Sequence, residues 1–71
     1  MEQIRLLDVV ALTEDVPEHK LVRGQVGTVV EELPPDALEV EFCDEQGHAY
    51  ASVRIPRENL IVLRYQPMEA A

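Results

Sequence analysis

A chain of 71 residues, 46% of them hydrophobic, has room for one small core and is too apolar to remain disordered. Its 14 acidic and 6 basic side chains leave a formal net charge of −8, which excludes the broad basic surface on which nucleic-acid binders usually rely. No apolar run approaches the roughly 20 residues that span a bilayer, and the N-terminus lacks a long apolar stretch, so the expectation is a soluble cytoplasmic domain with residues 1–4 and 66–71 as loose tails.

In chain order, Leu6-Leu7-Asp8-Val9-Val10-Ala11-Leu12 reads as a first strand. A polar connection from Thr13 to Arg23 follows and carries Pro17. Its isolated apolar residues, Val16 and Leu21, are expected to pack inward, since eleven residues with no periodic structure need an anchor. Gln25 to Leu33 is the second strand, entered through Gly24 and Gly27, where a tight bend is expected, and stopped by Pro34-Pro35-Asp36. Leu38-Glu39-Val40-Glu41-Phe42 alternates strictly and turns Leu38, Val40 and Phe42 to the core. Asp44-Glu45-Gln46-Gly47 is a hairpin turn, with Gly47 at a positive φ, into a fourth strand whose Ala49, Ala51, Val53 and Ile55 alternate with Tyr50, Ser52 and Arg54. Pro56 to Leu60 suits a single 3₁₀ turn that directs Leu60 inward, and Ile61 to Tyr65 forms the last strand.

Five short strands, a long first loop, a central hairpin and a 3₁₀ turn before the last strand predict an all-β fold, a single small SH3-like barrel over residues 1–71. Gly24-Gln25-Val26-Gly27-Thr28-Val29 resembles the KOW motif of ribosomal proteins and transcription elongation factors over about a dozen residues. That resemblance implies an SH3-like barrel that binds RNA or protein, although RNA-gripping KOW modules are basic and this chain is acidic. A longer resemblance runs from about Leu6 to Leu63. Leu7 to Leu12, Asp15-Val16-Pro17-Glu18, Leu21 to Glu31 and Leu38-Glu39-Val40-Glu41-Phe42 are similar to a family of short bacterial proteins of unknown function. It implies a stand-alone β-barrel and supplies no activity.

Residues able to do chemistry are scattered. Ser52 lacks a strained elbow, and Gly24-Gln25-Val26-Gly27 lacks the lysine and the strand-to-helix setting of a phosphate loop. His19 and His48 have no metal-ligand spacing, and Glu14, Asp15 and Glu18 read as surface acidity rather than a calcium loop. The single Cys43 excludes an internal disulfide and reads as a small buried hydrophobe. No enzyme, cofactor, metal or membrane association is therefore expected. The expected role is a protein-interaction module, with the product of a neighbouring gene as a candidate partner, Tyr50, Leu63 and Tyr65 as contact residues and the acidic surface steering a basic partner. The alternative is a KOW-like nucleic-acid module using Arg54, Arg57 and Arg64 as a local patch. The edges of an open five-stranded barrel also suit a homodimer.

Overall fold

The computed structural model describes residues 3–64 and residue 67. The chain forms one five-stranded antiparallel sheet with two 3₁₀ turns and no α-helix among the described residues. Its strands are β1 (Val9–Leu12), β2 (Val26–Leu33), β3 (Ala37–Cys43), β4 (Ala49–Pro56) and β5 (Leu60–Val62), in the spatial order β4-β3-β2-β1-β5. Consecutive strands β1 to β4 thus meander, and the 3₁₀ turn Arg57–Asn59 carries the chain back so that β5 pairs with β1. The result is the small all-β, barrel-like arrangement that the strand pattern predicts, with β4 and β5 as its two edges.

One face of the curled sheet holds the core. Val10, Leu12, Val29, Leu38, Val40, Phe42, Ile55 and Leu60 come from all five strands, and Leu21 joins them from the first loop. The strict alternation of β3 is realised, with Leu38, Val40 and Phe42 completely buried. Burying apolar side chains of this size contributes roughly 1.5–3 kcal/mol each, which for so short a chain is most of what holds it folded.

The first loop acquires structure through its two apolar residues. Val16 and Leu21 form an isolated bridge, with Val16 N–H donating to Leu21 O at 2.8 Å and Leu21 N–H returning to Val16 O at 3.2 Å. Between them Pro17–His19 makes the first 3₁₀ turn, closed by Lys20 in the left-handed region at φ 59°. Asp15 Oδ1 accepts from Arg23 N–H at 2.8 Å, and Gly24 N–H donates to Leu12 O at 2.8 Å. Leu21 is thereby driven into the core and Val16 packs against its margin.

Several expectations are corrected. β1 starts at Val9 instead of Leu6, because Asp8 closes a turn on Arg5: Arg5 N–H donates to Asp8 Oδ2 at 2.8 Å and Asp8 N–H to Arg5 O at 3.1 Å. Leu6 and Leu7 are left exposed, Leu7 in the left-handed region at φ 71°. Ile4, assigned to a loose tail, is buried in the core cluster. Gly24 (φ 93°) and Gly47 (φ 85°) occupy the backbone region that favours glycine, whereas Gly27 does not. Gly27 is required by contact: an added Cβ would lie 2.6 Å from Val40 Cγ1 and 2.8 Å from Glu41 O. β5 ends at Val62, short of the expected Tyr65, which lies outside the described residues with the rest of the predicted 66–71 tail except residue 67.

Candidate functional site

The pairing register places a second apolar surface on the opposite side of the sheet from the core. Ala11 stands opposite Val26 on β2 and opposite Ile61 on β5. Two residues along, Val9 stands opposite Thr28, and Leu63 N–H donates to Val9 O at 2.9 Å. Side chains of Val10, Leu12, Leu60 and Val62 point to the core or pack against it, so the alternate positions Val9, Ala11, Ile61 and Leu63 face outward. Ala11 is only 8% exposed, yet it does not belong to the core cluster. Ile61 and Val26, its flanking partners, are 52% and 44% exposed. Three strands thus present a nearly uncharged row to solvent.

This row continues over the free edge of β5 into a groove of about 460 Å³. Ile4, Leu60, Ile61 and Val62 give it an apolar floor, and Asp36 and Glu58 stand among its lining. Two hydrogen bonds shape it. Arg57 N–H donates to Asp36 O at 2.8 Å, which ties the second 3₁₀ turn to the β2–β3 turn, and Arg57 Nη1 donates to Ile4 O at 3.3 Å. Arg57, the one arginine of the groove lining among the described residues, therefore serves to hold Ile4 in place.

The predicted contact residues fall at different places. Leu63 is half-buried and belongs to the outer apolar row, and Tyr65 lies outside the described residues. Tyr50 is on β4, at the far edge of the sheet, where the register shifts between Phe42 and Cys43. Phe42 pairs with Ala51 and Cys43 with Ala49, which leaves Tyr50 as the extra residue of a β-bulge. Its ring lies 6.4 Å from that of Phe42, and its hydroxyl oxygen accepts from Gln25 Nε2 at 2.8 Å. Gln25 Oε1 in turn accepts from Val22 N–H, so Tyr50 fastens the first loop to the hairpin. That partnership gives Tyr50 a structural task that sequence spacing could not show.

Arg54, Arg57 and Arg64 are similarly dispersed. Arg54 stands on β4 opposite Glu39, Arg57 faces Ile4, and Arg64 is exposed just after β5. On the outer face of β2, β3 and β4, Glu31 opposes Glu39, and Glu41 lies between Thr28 and Ser52. Ser52 Oγ donates to Glu39 Oε2 at 2.8 Å. Among the described residues no three His, Cys, Asp or Glu side chains converge to hold a metal ion, and no helix is long and apolar enough to cross a membrane.

Cys43 is exposed, against the expectation of a buried hydrophobe. As the residue after Phe42 on an alternating strand it falls on the outer side, where its Sγ lies 3.8 Å from Glu41 Oε1. Partial desolvation, then the charges and hydrogen bond of Glu41 and the charge of Asp44, hold its thiol above the ordinary value. Asp44 meanwhile organises the hairpin turn, its Oδ1 accepting from Gln46 N–H and His48 N–H, both at 2.9 Å.

Residues 6–62 match the model of a family described as a domain of unknown function, DUF4926. The chain belongs to that family. The DUF4926 match takes in all five strands, the first loop and the second 3₁₀ turn, while Ile4 and Leu63 lie just outside it. No curated protein and no solved structure matches the chain.

Proposed function

We propose that this domain is a non-catalytic interaction module with an SH3-like barrel, and that its ligand is a protein, the product of a neighbouring gene being the first candidate. The strand order β4-β3-β2-β1-β5, the long first loop and the 3₁₀ turn ahead of β5 support the SH3-like reading. A protein ligand is supported above all by the outer row of Ile61, Ala11 and Val26, apolar side chains that the core does not use. Contiguous apolar surface on a small domain marks interaction sites, and the groove beyond β5 extends it. The net charge of −8 favours encounter with a cationic partner and disfavours phosphate backbones.

Capture experiments with the wild-type domain and with Val26→Glu test this reading. The expected result is a stoichiometric protein retained by the wild type and lost with Val26→Glu, whose fold is checked by circular dichroism. Recovery of the bait alone, together with binding to labelled RNA or DNA that weakens steeply with salt, would replace it with the nucleic-acid alternative.

A further inference from the structure

We propose that the free edge of β5 accepts an extended, lysine- or arginine-bearing segment of a partner protein as a sixth strand. This deepens the protein-binding reading and rests on it. The two edges of the sheet are built differently. β4 has a bulge at Tyr50, a charge at Arg54 and a proline at Pro56, all of them features that discourage pairing with another strand. β5 is Leu60-Ile61-Val62, short but with no charge, bulge or proline.

The hydrogen-bond phase leaves the outward side of β5 ready to pair. Asn59 O accepts from Thr13 N–H at 2.9 Å and Leu63 N–H donates to Val9 O, so residues 59, 61 and 63 turn their backbone groups toward β1. The alternate residues then direct theirs to the free edge. Leu60 N–H is already used by Arg57 O within the 3₁₀ turn, and among the described residues Leu60 C=O, Val62 N–H and Val62 C=O are then the groups that face an incoming strand. Such a strand would send alternate side chains into the groove beside Ile4 and over the outer face beside Ile61, and so find apolar surface on both sides.

Charge selects the occupant. Two acidic residues, Asp36 and Glu58, line the groove against one basic residue, Arg57, whose guanidinium is held on Ile4 O, so acidic groups outnumber basic ones there. Basic residues flanking an apolar centre would meet those carboxylates, and the −8 field would speed their approach. A second copy of this chain would bring the same −8 to the same edge.

The probe is a fluorescent seven-residue peptide with three central valines flanked on each side by two lysines, followed by anisotropy. The wild-type domain is expected to bind it at low salt and to bind neither the glutamate-flanked peptide nor the peptide N-methylated on its valines. Glu58→Lys should weaken binding about tenfold, as a rim charge facing a basic ligand does. Val62→Pro should abolish binding, since it removes the outward donor while the bonds to β1 run through Ile61 and Leu63. Equal affinity for the N-methylated peptide, undiminished binding by a folded Glu58→Lys, or no binding by the wild type overturns strand addition. A captured partner lost with Val26→Glu but kept by Glu58→Lys and Val62→Pro overturns it too, while leaving the protein-binding reading intact. A sedimentation mass of two chains that Val62→Pro returns to one assigns the edge to a second copy instead.

Discussion

The outer face of the sheet has two halves that share one core and one strand. Across β2, β3 and β4 it is mostly polar and charged, with Glu31 opposite Glu39, Glu39 opposite Arg54 and Glu41 opposite Ser52, although Val30 and Tyr50 are also exposed on these strands. Across β5, β1 and β2 the same geometric positions hold Ile61, Ala11, Val26, Val9 and Leu63. Inside, both halves bury the same kind of aliphatic residues around Phe42. Folding requires only one buried face, so the wet half shows what an outer face is when stability alone shapes it. The apolar half exposes side chains that the core does not use, and the proposed protein-binding role rests on them.

The largest effect should come from the core on which both halves depend. Phe42→Ala is expected to lose about 3–5 kcal/mol in urea denaturation, enough to leave little folded protein. A loss below about 1 kcal/mol would mean that the halves do not share one core. Next comes Gly27→Ala, at the strand common to both: its Cβ would meet the Glu41 carbonyl oxygen at 2.8 Å and Phe42 Cδ1 at 3.0 Å, and backbone cannot swing aside. About 1–3 kcal/mol of destabilisation is expected.

Charge substitutions then sharpen the contrast between the halves. Glu31→Lys, opposite Glu39, replaces a like-charge pair by an opposite one and should stabilise by roughly 0.2–1 kcal/mol, a gain that added salt diminishes. Ile61→Lys should change stability by less than about 1 kcal/mol, because half of the side chain is already in water, and yet remove partner capture. Loss of capture with Glu31→Lys and retention with Ile61→Lys would reverse the assignment of the two halves.

The smallest expected change is at Cys43. Its raised pKa favours the neutral thiol in the folded state, so the associated stabilisation is present below the unfolded thiol pKa and fades as pH rises through the folded value. Alkylation near pH 8 should therefore be slower in the native protein than in urea, and Glu41→Gln should speed it several-fold through a larger thiolate fraction. A native rate equal to the denatured one would remove the influence of Glu41.

Much of this architecture is legible from local pattern. Leu38, Val40 and Phe42 alternate without interruption, Asp44 and Gly47 mark the hairpin turn, and Pro34-Pro35 ends β2, so the β3–β4 hairpin follows from neighbours in sequence. The outer apolar row is not legible in that way. It exists only because β5 and β2 flank β1 in a register that aligns Ile61, Ala11 and Val26, residues separated by up to 50 positions of the 71. Tyr50 shows the same limit, since a bulge and a distant Gln25 decide what it touches. Leu6 and Leu7 mislead for the opposite reason: they look like strand residues, but the Asp8 carboxylate folds the backbone into a turn there, even though Leu7 N–H still donates to Val29 O of β2. Ile4 looks expendable until the 3₁₀ turn supplies Arg57 to hold it.

Thr28 stands on the line where the two exteriors meet, with Val9 on one side and Glu41 on the other. A hydroxyl and a methyl on one β-branched carbon suit either neighbour. Exchanging that side chain for valine or for a carboxylate would shift the frontier by a full strand width with the interior untouched, so the extent of the dry flank is set by a single position.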